Sequence, residues 1–276
     1  MREVLGSAYG WGKSKANTFR EIQEHISNRV LGWKEKFISK AGQVILIKTV
    51  VQAIPTYSMN LFNLPKSLCY NIKSILARYW WGQKKDERKL HWINRQKLCA
   101  GKASGGMGFR DINAFNLAML AKQAWRLIQC THSLFYRAYK TRYFPNCSFL
   151  EAPLGNNPSF VWISLLSARD VITKGSRWRV GDGSLIGVTT HEWLSYDPIF
   201  LGQPDTELRM SDLIDNDSRQ WDRRKIHALF SQRTSREILA IPPNNLHNRD
   251  SLIWMKTKSR TFSVKSACQV AVCLKQ

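Results

Sequence analysis

The stretch DINAFNLAMLAKQAWRLIQ, residues 111–129, decides the fold of this sequence. Asp111 belongs to the residue types that cap helix N-termini, and the apolar residues after it recur every three or four positions. A second face of the predicted helix is basic, because Lys122 and Arg126 lie one turn apart. We therefore predict a helix that packs into a core through Leu117, Leu120, Ala124, Leu127 and Ile128.

Helical patterns also precede this stretch. Residues 40–53 are apolar all round and could form a buried helix or a buried strand, but Ser39 as a possible N-cap and Pro55 just beyond favour the helix. Pro65 suits the first turn of a further helix, and Gly82 offers its end. The apolar stripe of that helix comprises Leu68, Ile72, Ile75, Leu76 and Tyr79. An earlier helix, over about residues 15–31, is indicated by Phe19, Ile22, Ile26 and Val30.

The sequence changes character near residue 150. A helix over about residues 133–143 ends before Pro145, and residues 150–158 (LEAPLGNNP) have the composition of a boundary. Beyond it we predict a helix from Ser159 to about Lys174, two short helices near residues 222–231 and 235–240, and a final helix. A β-hairpin is predicted to join residues 177–180 and 184–188 around Gly181-Asp182-Gly183, and a strand pair to join residues 251–255 and 260–264.

These elements predict a mainly α protein with a smaller α+β part. Residues 1–150 are expected to form a basic helical region, and residues 151–276 a small α+β region that contains the hairpin. A chain of 276 residues with 43% hydrophobic residues has ample material for packed cores, so intrinsic disorder is excluded as the overall description.

The net charge of +22 is concentrated in the first region. Residues 1–150 carry 25 basic and 7 acidic residues, a net charge of +18, whereas residues 151–276 carry 17 and 13. Such an excess suits a polyanion, and nucleic acid is the commonest one inside cells. A membrane surface is the weaker alternative, because the basic residues are spread over many segments. No transmembrane helix is expected, because the longest strongly apolar run has only four residues.

The motifs of enzymes and metal sites are incomplete. Residues 10–14 (GWGKS) resemble the end of a phosphate-binding loop, but Ser7 stands where its first glycine is required. The chain has no Asp-Asp pair for a two-metal site, and its six cysteines lack paired ligand spacing. We therefore expect no catalytic centre, no metal, no cofactor and no small-molecule substrate, and, without a secretory signal, a nuclear or cytoplasmic location.

Several ordered blocks resemble plant LINE-type (non-LTR) retrotransposon reverse transcriptases. The blocks are residues 32–65 (GWKEKFISKAGQVILIKTVVQAIPTYSMNLFNLP), Trp80-Trp81-Gly82, His91-Trp92 and residues 105–127 (GGMGFRDINAFNLAMLAKQAWRL). The resemblance continues through residues 142–145 (RYFP), 178–183 (WRVGDG) and 262–267 (FSVKSA). It therefore covers nearly the whole chain.

The resemblance implies the region downstream of the polymerase palm, similar to a thumb and connection. The family's catalytic Phe/Tyr-x-Asp-Asp lies upstream of these blocks and has no counterpart here, and its zinc-binding cluster lies beyond them. Where the family has Tyr after Ser-Val-Lys-Ser-Ala, this chain has Cys268. The implied role is to bind an RNA or RNA/DNA template–primer through phosphate contacts without catalysis.

The residues expected to contact phosphates are basic and lie within or beside the family-like blocks: Lys40, Lys48, Arg110, Lys122, Arg126 and Arg142. Tryptophans such as Trp80, Trp81, Trp92 and Trp125 could stack on unpaired bases, although a tryptophan at helical spacing is more often a core residue. The alternatives are a retroelement remnant without function, a stand-alone basic nucleic-acid-binding protein, and an intact polymerase, which the missing carboxylates oppose. The oligomeric state is not indicated by the sequence.

Overall fold

A computed structural model describes residues 11–34, 38–81, 106–215, 218, 220–242 and 248–275 of the chain. Ser7, Gly10 of the GWGKS motif, Gly82 and His91-Trp92 lie outside these residues. The chain divides into two compact units. Unit 1 comprises residues 1–172 and 264–276, and unit 2 comprises residues 173–263. The functional division at residue 150 remains a prediction.

Unit 1 is built from helices. In chain order these are α1 (Trp11–Lys34), α2 (Lys40–Leu46) with a π-helical continuation (Ile47–Val51), α3 (Thr56–Met59), α4 (Lys66–Trp80), α5 (Ile112–Gln129), α6 (Leu134–Tyr143), α7 (Phe160–Leu166) and α8 (Arg169–Gly175), whose end enters unit 2. The last described helix of the chain also belongs to unit 1.

Unit 2 combines short strands and short helices. Its elements are β1 (Ser176–Arg179), a 3₁₀ turn (Met210–Leu213), β2 (Ile214–Asp215), β3 (Gln220–Trp221), α9 (Arg223–Leu229), α10 (Gln232–Leu239) and β4 (Ser251–Trp254). The chain then returns to unit 1 as α11 (Val264–Cys273). The predicted fold class, mainly α with a smaller α+β part, is confirmed.

Helix α5 is the central element of unit 1. Asp111 caps it, since one carboxylate oxygen accepts a hydrogen bond from the Ala114 N–H at 2.9 Å. Of the predicted apolar face, Leu120, Ala124 and Leu127 are completely buried, and the helix packs against α3, α4, α6, α7 and α11. The five residues predicted for the stripe of α4 are also all buried.

A buried asparagine joins α5 to the segment before α4. The Asn116 side chain is 1% exposed, its Oδ1 accepts a hydrogen bond from the Leu64 N–H at 2.7 Å, and its Nδ2 donates to the Met59 and Phe62 carbonyls at 3.0 and 2.9 Å. The amide of Asn116 is therefore paired through both its donors and its acceptor, with good geometry. Asn116 thus anchors residues 59–64 at three backbone groups.

The helix predicted from Ser159 is interrupted. Ser159 caps α7 as expected, but a break at Ser167-Ala168 separates α7 from α8. The hydroxyls of Ser164 and Ser167 donate to the Phe160 and Ser164 carbonyls at 2.7 Å, and such bonds back to the helix tend to bend it. Ser167 also accepts a hydrogen bond from the Asn63 side chain, which anchors the break.

Both predicted strand pairings are wrong. Strand β1 pairs antiparallel with β4, with Ser176 opposite Trp254 and Arg179 opposite Ser251, rather than with residues 184–188. The segment after β1 turns away because Asp250, itself 8% exposed, accepts hydrogen bonds from the backbone N–H groups of Gly181, Gly183 and Leu185. Residues 260–263 form no strand, and β2 pairs with β3 in a second small sheet.

Gly181 is required for this arrangement. A Cβ at this position would lie 2.3 Å from the backbone oxygen of Asn248. The Gly-Asp-Gly sequence is therefore a loop wrapped around the carboxylate of Asp250. It is not the tip of a hairpin.

Candidate nucleic-acid interface

The basic face of α5 is exposed as predicted. Lys122 and Arg126 lie one turn apart on the solvent side of the helix, opposite the buried Leu120, Ala124 and Leu127. Within the described part of the chain, neither side chain has a hydrogen-bond or ion-pair partner. Both charges therefore face solvent without a partner in this part of the chain.

Lys40 and Lys48 lie at a cluster of aromatic rings. The ammonium of Lys40 is 4.9 Å from the Trp80 ring centroid and that of Lys48 is 6.0 Å from the Phe109 centroid, while the two rings contact each other edge to face at 6.0 Å. Lys40 also donates a hydrogen bond of 2.6 Å to the Trp80 carbonyl at the end of α4. Part of its donor capacity is therefore used to cap that helix.

Arg110 and Arg142 are exposed and are held by aromatic faces. The guanidinium carbon of Arg110 lies 4.5 Å from the Phe115 ring centroid, and that of Arg142 lies 5.3 Å from the Tyr143 centroid. Stacking restricts a guanidinium without consuming its in-plane N–H donors. The in-plane donors of Arg110 thus remain able to bind a phosphate.

The six predicted residues occur in three groups on different elements. The aromatic cluster joins Lys40 and Lys48, with Arg110 directly after Phe109; Lys122 and Arg126 share α5; and Arg142 lies near the end of α6. Only the second group places two exposed charges side by side on one rigid helix. The geometry therefore supports Lys122 and Arg126 as a pair more directly than it supports all six as one site.

Several tryptophans among the described residues build cores. Trp162 is completely buried and stacks on Tyr143 with ring centroids 4.6 Å apart, while Trp254 is also completely buried. Trp80 packs against the core of unit 1, and Trp92 lies outside the described residues. In these instances the interpretation of tryptophan as a core residue is the correct one.

Asp111 neutralises two of the basic residues of unit 1. Its carboxylate lies 3.0 Å from the ammonium of Lys73 and 3.1 Å from that of Lys275. Burial alone would raise the pKa of Asp111, but the hydrogen bond from Ala114 and the two ammonium groups outweigh it and lower this pKa to about 2. Lys73 and Lys275 therefore have a structural role.

Replacing Asp111 by asparagine should reduce the acid sensitivity of folding. A carboxylate with a depressed pKa stabilises the fold fully above its unfolded pKa near 4, and this stabilisation is lost as the pH falls towards 2. The contribution is about 2 kcal/mol. Asparagine still caps the helix, so urea unfolding at pH 5 and pH 2 should show a smaller decrease for Asp111→Asn than for the wild type.

The exposed Asp170, in the first turn of α8, provides the control. Asp170→Asn should retain the wild-type decrease in unfolding free energy between the two pH values. An equal decrease in the wild type and Asp111→Asn would contradict the proposed role of the Asp111 ion pairs.

A second basic surface, in unit 2, was not anticipated. Arg177, Arg179 and Arg260 line a groove of about 380 Å³. The alternation in Ser-Arg-Trp-Arg, residues 176–179, was a signal that could have indicated it, because residues two apart in a strand share a face. The position of Arg260 beside them follows only from tertiary structure.

The described residues contain no group of three or more His, Cys, Asp or Glu side chains arranged to hold a metal ion. The five cysteines among them form no disulfide with one another, and Cys99 lies outside the described residues. No described helix is both long enough and apolar enough to span a membrane.

These observations define the class of protein: a basic, mostly helical chain that folds into two compact units. No family model matches it, and no solved structure matches it. An uncharacterized mitochondrial protein of Arabidopsis thaliana is 39% identical over 143 residues, which cover 51% of this chain and 93% of that protein. The chain belongs to the same family as this mitochondrial protein.

A second relative is longer. It is an Arabidopsis thaliana protein that bears the name Putative ribonuclease H protein, and it is 31% identical over 264 residues. The match covers 92% of this chain but 42% of the relative, so the chain spans less than half the length of that protein. Both relatives come from a plant, and the matches are consistent with a plant transposon-derived protein.

Proposed function

We propose that this chain is a non-catalytic part of a LINE-type reverse transcriptase that binds an RNA or RNA/DNA template–primer through phosphate contacts. The observation that carries the proposal is the exposed pair Lys122 and Arg126 on α5, without partners among the described residues and opposite a buried face. The charge of +18 in residues 1–150 and the resemblance of residues 105–127 to that family support it.

The pair suits a phosphate backbone better than a base edge. Its two charges lie about 6 Å apart along the helix axis, so both can face one anionic strand. Long flexible side chains on a helix surface adapt to a repeating anion without selecting a sequence. We therefore expect weak sequence preference and strong salt dependence.

The double substitution Lys122→Ala/Arg126→Ala tests the proposal. If about 6–10 phosphates are contacted, the affinity of the wild type should fall by about 10³–10⁵ between 50 and 200 mM salt. The double variant should bind more weakly than the wild type, and by a similar factor for unrelated sequences. The slope of log affinity against log salt concentration should decrease in magnitude by about 2. Gel-shift titrations at several salt concentrations measure both quantities, and alanine preserves the helix.

Lys256→Ala/Lys258→Ala is the matched control. It also removes two exposed positive charges, but from a loop of unit 2 outside the predicted surface. Its slope should remain that of the wild type. An unchanged slope in the α5 variant with an intact far-UV spectrum, or an equal change in both variants, would remove Lys122 and Arg126 from the interface.

The absence of catalysis is part of the proposal. Phosphoryl transfer by polymerases depends on carboxylate-held metal ions, and the sequence has no Asp-Asp pair to hold them. Purified protein with primer–template, nucleotides and Mg²⁺ should therefore extend no primer above background.

We propose the nucleus or the cytoplasm as its location, which fractionation of a tagged protein would test.

A stand-alone nucleic-acid-binding protein is the second candidate. The mitochondrial relative favours it, because 93% of that protein is matched by 143 residues of this chain, so a short separate member of the family exists. An open reading frame that encodes a polymerase palm directly upstream in the genome would favour the proposal that this chain is part of a reverse transcriptase. Stop codons there would favour the stand-alone protein or a remnant of a retroelement, and the salt titration separates these two.

A further inference from the structure

The groove in unit 2 combines cationic and apolar walls. Its volume of about 380 Å³ lies within the range of about 300–1,000 Å³ that is typical of small-molecule sites. Three arginines and one glutamate, Glu237, contribute the charged groups. The apolar wall includes Ile241, Ile253 and Met255. A groove of this kind suits a ligand that is anionic at one end and apolar at the other.

Two of the arginines are positioned by strand β1. Arg177 and Arg179 lie on one face of the strand, opposite Ile253 and Ser251 of β4. Arg179 donates a hydrogen bond of 3.1 Å from Nε to the Ser251 hydroxyl. The Nε of Arg177 is buried and has no hydrogen-bond partner among the described residues. A buried donor without a partner is costly, so the guanidinium of Arg177 has hydrogen-bonding capacity left for a ligand.

The third arginine has a strained backbone. Arg260 has a φ of 55°, in the left-handed region where glycine is favoured, at the end of a turn closed by the hydrogen bond from its N–H to the Thr257 carbonyl. A non-glycine residue persists in such a conformation where the surrounding structure holds it there, and such residues cluster at active sites and ligand-binding segments. The side chain of Arg260 lines the groove.

We propose that this groove binds an unpaired nucleotide of a single-stranded RNA or DNA. The phosphate lies against the arginines, and the flat base lies against the apolar wall. A base within a duplex cannot reach the groove, because its edge is paired and its faces are stacked. The site goes beyond the function proposed for α5, which concerns the phosphate backbone, and either site can exist without the other.

Equilibrium dialysis of the full-length protein against labelled AMP tests this site. Arg260→Gly removes the guanidinium and also relieves the strained φ, so its melting temperature should equal or exceed that of the wild type. Its affinity for AMP should be lower by about tenfold, the loss expected for one charge-assisted contact. Arg177→Gln should weaken AMP in the same way, whereas Lys258→Gln, which removes an exposed charge outside the groove, should not.

Competition identifies the ligand class. Adenosine and inorganic phosphate should each displace labelled AMP more weakly than unlabelled AMP does, because each lacks one half of the ligand. A single-stranded oligodeoxyadenylate should displace it, and a blunt-ended duplex without unpaired nucleotides should not. Displacement by phosphate as effective as by AMP, displacement by the duplex, or equal losses in Arg260→Gly and Lys258→Gln would each overturn the proposal.

The two proposed sites fail independently. The Lys122→Ala/Arg126→Ala protein should retain the wild-type affinity for AMP, even where its salt slope is reduced. If that variant lost as much affinity for AMP as Arg260→Gly does, AMP binding would not be specific to the groove. The assignment of the nucleotide to unit 2 would then be overturned.

Discussion

Substituting leucine for Asn116 is expected to lower the free energy of unfolding of unit 1 by about 3–5 kcal/mol. The amide of Asn116 pairs with one N–H and two carbonyls of residues 59–64, all in a buried environment. Leucine keeps the branching at Cγ but is larger and leaves these three backbone groups without partners. Each unsatisfied buried group costs about 1–3 kcal/mol, so the loss is large even though no cavity is created.

Urea unfolding followed by far-UV circular dichroism measures this loss. Asn113→Leu is the matched control, because Asn113 lies on the same helix, is only half-buried and takes no part in this network. We expect the control to change the unfolding free energy by less than about 1 kcal/mol. If Asn116→Leu also changed the unfolding free energy by less than about 1 kcal/mol, residues 59–64 would have to be held by other contacts.

The Asn116 network also affects how the family resemblance is interpreted. Asn116 lies in one of the most distinctive blocks, yet its hydrogen bonds are all internal. Together with Asp111, it shows that polar residues of residues 105–127 can maintain the fold while Lys122 and Arg126 face solvent. The two roles predict different results. Asn116→Leu should reduce stability, whereas Lys122→Ala/Arg126→Ala should reduce only binding.

Removing the carboxylate of Asp250 is expected to have an effect of similar size in unit 2. Asp250→Ala should lose about 3 kcal/mol or more, because the N–H groups of Gly181, Gly183 and Leu185 lose an acceptor at 2.7–3.0 Å. Asp250→Asn should lose less, since the retained oxygen can still accept from two glycine N–H groups. The ordering of the two variants therefore reports on hydrogen bonding rather than on volume.

Hydrogen exchange localises this effect. In Asp250→Ala, the amides of residues 181–188 should lose protection while those of α5 keep it, because the hydrogen bonds of the Asp250 carboxylate in the described structure all lie within unit 2. Asp182→Ala is the control, since its carboxylate bonds to the nearby Ser184 and is partly exposed. Equal protection in the wild type and Asp250→Ala would contradict the role given to the carboxylate.

The success of the helix predictions has a local cause. A helix makes its hydrogen bonds within about four residues, so the stripes of α4 and α5 and the caps at Asp111 and Ser159 can be identified from neighbouring residues alone. The break between α7 and α8 was missed because serines that bond back to the helix look the same in sequence as exposed serines. The bend became visible only with the contact from Asn63 to Ser167.

The failure of the strand predictions has a non-local cause. Strand β1 pairs with residues about 75 positions later, and no local signal distinguishes this pairing from a hairpin around Gly-Asp-Gly. The same holds for Asp250, whose sequence neighbours do not indicate three distant N–H donors. A buried carboxylate that accepts several backbone hydrogen bonds can be identified only when the loop around it is known.

The sequence by itself determined the helical class, the apolar faces and the basic stripe of Lys122 and Arg126, because periodicity and charge are properties of residues a few positions apart. Only the tertiary structure decided which cations remain available. It paired Lys73 and Lys275 with Asp111, placed Lys40 against the end of α4, and brought Arg260 beside Arg177 and Arg179. Availability depends on which groups meet in space, and groups far apart in the chain meet only through folding.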